Sequence, residues 1–280
     1  MDTDMGTNKR DDAELSGMVL AVSVATNTGW VRSENQDNFY ADHKLRHYDG
    51  KSETVEFHEK LGGTKIFSVC DGLGGEKGGR ICSEIAVETL SRERDAIIDA
   101  SPAELDGVMN RYAAEANNAI CSALHCRFWP EGGTTFTGII VKGDTVYPYY
   151  LGDSRIYMYH NKSLTLLTED HTVAMEKVHS GEYTLEQAFK SRENHMLTQF
   201  LGMDNFRKGI RLVPCPSFPA EAGLRLLLCS DGLHDMLSDD EIRVILAEPG
   251  SDPAMRLVEA ALGAGGHDNV TCIVLTFEKA

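Results

Sequence analysis

The chain has 280 residues, 42% hydrophobic and 25% charged, which are the proportions of a folded protein with room for a sizeable core. Its 43 Asp and Glu against 27 Lys and Arg leave a formal charge of −16, which argues against a nucleic-acid binder, where a basic stripe is expected. Seven cysteines without a Cys-x-x-Cys pair, several inside apolar runs (Cys70, Cys229, Cys272), disfavour a zinc site and read as reduced, buried thiols of a cytoplasmic protein.

Residues 1–17 carry almost no large apolar side chain and read as a disordered arm, which leaves 18–280 as a single domain. The apolar run Met18–Ala25 is too short to span a bilayer and lacks the features of a signal peptide. Val19–Thr26 is rich in β-branched residues and stops at a turn, so it predicts a strand. Asp37–Ala41 predicts the next, residues 42–63 an extended hairpin, and Lys65–Cys70 a buried strand. Ile81, Ile85, Ala86, Thr89 and Leu90 recur at helical spacing. A second long helix is expected from a cap near Ser101-Pro102, with Leu105, Met109, Tyr112, Ala116, Ile120 and Leu124 on its apolar face.

Short strands follow at Thr135–Val141, Val146–Leu151, Arg155–Tyr159 and Leu164–Leu167, with turns at Gly143-Asp144 and Asn161-Lys162. Residues 169–209 break this rhythm, carry weak helical signals at 173–179 and 184–192, and read as a mobile lid beside a site. A strand at Leu224–Cys229, helices near Asp239–Ala247 and Asp252–Leu262, and a strand at Val270–Phe277 complete the chain. Long helices bracketed by such strands suggest sheet against sheet with helices outside.

Four aspartates stand out: Asp37 in Arg32-Ser-Glu-Asn-Gln-Asp37, Asp71 after Val69-Cys70, Asp231 after Cys229-Ser230, and Asp268 in His267-Asp-Asn269. Carboxylates delivered to one spot repel one another unless a cation lies between them, and Mg²⁺ or Mn²⁺ prefers such oxygen ligands. Asp-Gly by itself is only a turn signal, and Asp49-Gly50 and Asp106-Gly107 carry no assignment. Asp71-Gly72 and Asp231-Gly232 differ because each ends an apolar run. Gly74-Gly75-Glu-Lys-Gly-Gly79 is not a nucleotide loop, since Lys77 is followed by glycine where Ser or Thr is required. Close backbone approach accounts for its glycines better.

Taken together, Arg32…Asn35-Gln-Asp37, Val69-Cys-Asp-Gly-Leu-Gly-Gly75, Gly133-Thr-Thr135, Gly152-Asp-Ser-Arg155, Ser230-Asp-Gly-Leu233 and Asp268-Asn-Val-Thr271 resemble, in order, the metal-dependent Ser/Thr protein phosphatases of type 2C, bacterial branch. The resemblance runs from about residue 20 to the C-terminus. It implies an α+β fold, a four-layer αββα sandwich of two antiparallel β-sheets flanked by helices, with 18–280 as the catalytic domain. It also implies two Mn²⁺ or Mg²⁺ ions, held by Asp71 (bridging), the Gly72 carbonyl, Asp231 and Asp268, with Asp37 acting largely through metal-bound water. Water activated by the ions would attack phosphorus in line, while the planar fork of Arg32 grips the phosphate. The implied partners are phosphorylated proteins and a Ser/Thr kinase whose signalling the chain would reverse, acting as a cytoplasmic monomer with neither nucleic acid nor membrane.

The chain departs from the family pattern in places. Gln36 stands where Glu is common, which implies weaker metal binding. Leu73 replaces the histidine of eukaryotic members, so a metal-bound water or another group must supply the proton, with His171, His179 and His195 in the lid as candidates. The weak third metal of bacterial relatives uses an aspartate just before Gly-Thr-Thr; here Glu131 is nearest and reads as a turn residue. Asp153 is expected to brace a hairpin near the site. The rival readings are a catalytically silent phosphoprotein-binding module on the same fold, favoured by Gln36 alone, and a two-metal nuclease, disfavoured by the acidic balance.

Overall fold

Most strands here run almost continuously apolar, and the layering explains why. The computed structural model describes residues 17–46, 52–127, 132–203 and 210–279. The expected N-terminal arm, apart from Gly17, and Glu131 lie outside the described residues. In chain order the first strands are β1 (Met18–Asn27), β2 (Asn38–Ala41), β3 (Lys44–Leu45), β4 (Ser52–Lys60) and β5 (Thr64–Cys70). A short β6 (Gly72–Leu73) leads into helices α1 (Gly75–Asp99) and α2 (Leu105–Cys126). Next come β7 (Gly133–Thr134), β8 (Phe136–Lys142), β9 (Thr145–Leu151), β10 (Arg155–His160) and β11 (Ser163–Leu166). The segment after them holds α3 (Val173–His179), α4 (Leu185–Lys190) and a 3₁₀ turn at Arg192–His195. The chain continues through β12 (Val213–Pro214), β13 (Phe218–Pro219), β14 (Arg225–Cys229), α5 (Asp231–His234), α6 (Asp239–Ala247), α7 (Pro253–Gly263) and β15 (Val270–Lys279).

One antiparallel sheet has the order β11-β10-β14-β15-β1-β4, and the other β12-β9-β8-β5-β2-β3, with β13 also on β9. Alternate residues of one strand serve different cores, as the period of two requires. In β14, Leu226 and Leu228 point between the sheets, while Leu227 and Cys229 face α5, α6 and α7. In β5, Phe67 and Val69 point between the sheets, while Ile66 and Cys70 pack under α1 and α2. Helices, sheet, sheet and helices thus form four layers with three apolar interfaces. Both faces being covered makes the strand sequences apolar throughout. Among the described residues no helix is long and apolar enough to cross a membrane. All seven cysteines are free, and Cys70, Cys82, Cys229 and Cys272 are buried.

Two expectations need revision, and two short strands are additional. Residues 42–63 do not fold back as a hairpin: β3 pairs with β2, whereas β4 pairs with β1 in the other sheet. Alternation of Val55 and Phe57 with charged residues suits β4 to a sheet edge, where only one face is covered. Helix α2 begins at Leu105, because Ser101 and Glu104 first close a turn in which the Glu104 carboxylate accepts from the Ser101 N–H and Oγ. The two-residue strands β12 and β13 each contain proline and carried no strand signal.

Candidate metal centre

Antiparallel register alone gathers the distant motifs. Asn38 at the start of β2 faces Cys70 at the end of β5, and Cys229 at the end of β14 faces Cys272 near the start of β15. Asp37, Asp71, Asp231 and Asp268 therefore all leave their sheets at one end. Pairing of Phe136 with Leu151 and of Arg155 with Cys229 brings Thr135 and Asp153 to the same end.

A cavity of about 950 Å³ opens there, and Arg32, Asp71, Gly72, Asp231 and Asp268 all line it. Asp37 does not. It is wholly buried behind the cavity, where its Oδ2 accepts from Ser230 Oγ at 2.8 Å and its Oδ1 has no hydrogen-bond partner. The Arg32 fork spans Asp268, with Nε donating to Oδ1 at 2.8 Å and Nη2 to Oδ2 at 2.5 Å.

The carboxylates destabilise one another's charge. Burial, and then the charges of Asp37, Asp231, Asp153 and Asp268, hold the Asp71 carboxyl well above the usual carboxylate range. Asp231 is raised likewise by burial, then by Asp153, Asp235, Asp268 and Asp37. Burial pushes Asp37 up to about 6 and Asp153 up to about 7. An oxygen-only donor set under mutual repulsion, backed by a buried carboxylate oxygen without a partner, fits a hard divalent cation.

Hydrogen bonds tie the recurring motifs to one another. Thr135 Oγ1 accepts from the Asp71 N–H at 2.9 Å, the Thr135 N–H donates to the Asp71 carbonyl, and Thr134 Oγ1 donates to that carbonyl at 2.8 Å. Thr135 Oγ1 also meets Ser154 Oγ at 2.7 Å. Asn269 accepts from the Gln36 N–H and donates to the carbonyls of Thr28 and Glu34, fixing the Arg32–Asp37 loop to the start of β15. Arg46 donates to the carbonyls of Asn35 and Asp37 from below. A Cβ on Gly232 would lie 2.0 Å from the Asn269 carbonyl oxygen, and one on Gly72 would lie 2.3 Å from that of Gly79. These glycines let backbones meet where a side chain would separate them.

Of the three lid histidines, only His195 lines the cavity. His171 instead accepts from the Gly152 N–H at 3.1 Å and stacks on Tyr150, and His179 is exposed beside Glu169. Phe189, Asn194 and Leu197 also line the cavity, which puts the 169–203 part of the expected lid beside it. Asp153, expected near the site, lines the cavity too. Asp235 escaped sequence reasoning, although its spacing four residues after Asp231 in a helical turn puts both on one face. Ligand atoms of His195, Asp231 and Asp235 lie within 4.8 Å of one another.

Residues 54–263 match the family model described as Protein phosphatase 2C. The chain is 30% identical over 260 residues to the Serine/threonine protein phosphatase PstP of Mycobacterium tuberculosis, covering 92% of this chain and 45% of that protein. It therefore spans less than half the length of that curated relative. It is 31% identical over 238 residues to the Serine/threonine phosphatase stp of Listeria monocytogenes, covering 83% and 91% of the two chains. Among solved structures, the catalytic domain of PstP in complex with two manganese ions superposes with a TM-score of 0.73 at 29% identity, covering 94% of this chain and all of that one.

Proposed function

Given that the chain belongs to the protein phosphatase 2C family, we propose that it is a Mn²⁺- or Mg²⁺-dependent hydrolase of phosphoserine and phosphothreonine in proteins. The observation that carries this reading is the cavity where Asp71, Asp231 and Asp268 converge beside Arg32 at the shared end of both sheets. In this reading Asp71, the Gly72 carbonyl, Asp231 and Asp268 would hold the two ions. Asp37 acts from behind the cavity floor. Such ions supply positive charge to phosphoryl oxygens and lower the pKa of water.

The chain's own residues supply the positioning. Arg32 offers a planar pair of donors matched to two phosphate oxygens, a geometry lysine lacks. Thr134 and Thr135 hold the Asp71 backbone through three hydrogen bonds, so the carboxylate presents a fixed direction. Ser230 holds one oxygen of Asp37 and leaves the other free. His195, the lid histidine that lines the cavity, would serve as proton donor to a leaving alkoxide. His195, Asp231 and Asp235, whose ligand atoms lie within 4.8 Å of one another, would offer donors to a weaker third ion. Phosphorylated proteins, and the products of a Ser/Thr kinase among them, are the proposed substrates.

Mn²⁺-dependent phosphate release from p-nitrophenyl phosphate and from a phosphothreonine peptide tests the reading. Binding of the peptide without turnover would favour a catalytically silent phosphoprotein-binding module, the reading that Gln36 at the cavity wall supports.

A further inference from the structure

Trp30 and Val31 are 69% and 67% exposed, the most exposed of the large apolar side chains among the described residues. Singly exposed apolar residues are common, but here two are adjacent, led by tryptophan, and directly precede Arg32, which lines the cavity. Nor is the indole loose. Its Nε1–H donates to the Leu262 carbonyl at 3.0 Å, and its backbone N–H donates to the Gly266 carbonyl at 2.8 Å. A Cβ on Gly266 would lie 2.6 Å from Trp30 Cδ1, so the ring rests on a glycine whose φ is +54°. The loop beneath the ring is the one that carries Asp268. A large rigid apolar surface is thus held in place and left uncovered.

Its location gives the surface a use. Arg32 follows two residues later and lines the cavity. Two virtual bonds of about 3.8 Å each keep the Cα atoms of Trp30 and Arg32 within about 8 Å, which is the span of about two residues of extended peptide. Phe189, half exposed, also borders the cavity and adds a second apolar side chain to its lining. A single tryptophan offers about 150–250 Å². With Val31 beside it, the patch still falls well short of the roughly 1,000 Å² that a stable dimer buries, so a second copy of the chain does not fit as its occupant.

Resting on the phosphatase reading, we propose that Trp30, with Val31, is a specificity-determining platform that receives an apolar side chain of the substrate polypeptide about two residues from the phosphorylated one. Tryptophan suits this because a fixed ring gains contact area without losing conformational freedom.

The test compares kcat/KM for two phosphothreonine peptides, one with leucine two positions to either side of the phosphothreonine and one with glycine there. The unaltered chain should prefer the leucine peptide roughly tenfold, the order of one apolar contact. Trp30→Ala should bring that ratio close to one, and Trp30→Phe, which keeps a ring but loses the bond to Leu262, should retain most of it. A purely structural Trp30 predicts the opposite pattern, with Phe as harmful as Ala and both peptides affected alike. A ratio near one in the unaltered chain, or an unaltered ratio in Trp30→Ala, overturns the inference while leaving the phosphatase reading intact. No metal-dependent hydrolysis of either peptide or of p-nitrophenyl phosphate by the unaltered chain overturns both.

Discussion

Arg32 and Asp268, 236 positions apart, meet through both branches of the guanidinium, at 2.8 Å to one carboxylate oxygen and 2.5 Å to the other. One partner is the proposed phosphate grip and the other a proposed metal ligand. The pair is half exposed, so its own contribution to stability is small. Its consequence is positional: it holds the arginine at the cavity mouth, and the fork must turn from Asp268 to grip a phosphate.

Arg32→Ala should therefore act on substrate more than on fold. We expect a rise in KM of roughly 10- to 100-fold, the worth of a charged hydrogen-bonded contact, with a residual rate surviving. Arg32→Lys should restore little, since an ammonium cannot span two oxygens. Steady-state kinetics on a phosphothreonine peptide measures this, and a fall in kcat with KM unchanged would contradict it.

Asp71→Asn and Asp231→Asn should each abolish hydrolysis. Loss of partners one shell removed from a metal typically lowers activity about 10- to 100-fold, so loss of a ligand should exceed that. Both substitutions also remove a carboxylate whose ionisation burial and neighbouring charges oppose. The melting temperature without metal should consequently hold or rise. Wild-type turnover by either variant would refute the proposed centre.

Metal binding should strengthen with pH. Asp37 at about 6 and Asp153 at about 7 stay protonated in the folded chain at pH values where the unfolded chain has released those protons. The folded state then binds more protons than the unfolded one between about pH 4 and 7, so metal-free stability falls as pH rises through that window. Positive charge in the cavity favours release of the same protons, so Mn²⁺ affinity should climb across it. Calorimetric titration at about pH 5 and about pH 8 should show tighter binding at the higher value, and equal affinities would contradict the electrostatic account.

Gly232→Ala should damage the site without touching a ligand. The new methyl would lie 2.0 Å from the Asn269 carbonyl oxygen, and backbone must yield. Overpacking of this kind costs about 1–3 kcal/mol. Denaturant unfolding should register that loss together with weaker Mn²⁺ binding, because Asp231 and Asp268 flank the contact. Unaltered stability would show that the loop yields freely.

The elements that could be read from sequence are those whose signals are local. Helix α6 begins where expected because Ser238 and Glu241 close a capping box at its N-terminus. Strands β1, β5, β14 and β15 announce themselves by apolar runs bounded by turns. The destination of 42–63 was illegible, because β4 pairs with β1, some thirty residues earlier, in a sheet that local pattern cannot distinguish from its neighbour. Asp235 could have been found from its four-residue spacing. Asn269 and Ser230 could not be assigned their parts, since their partners Gln36, Thr28 and Asp37 lie far along the chain.

The sequence by itself determined the kinds of chemistry available: oxygen donors, one arginine with a planar fork, and glycines where backbones must approach. It also set the strand faces, because a period of two and apolar content are properties of short stretches. Only tertiary structure decided that Asp37 lies behind the cavity while Asp71, Asp231 and Asp268 line it, and that Asp153, Asp235 and His195 join them. The reason is physical. Burial, mutual repulsion and hydrogen-bond reach depend on distances between atoms, and antiparallel register sets those distances between residues separated by most of the chain's length.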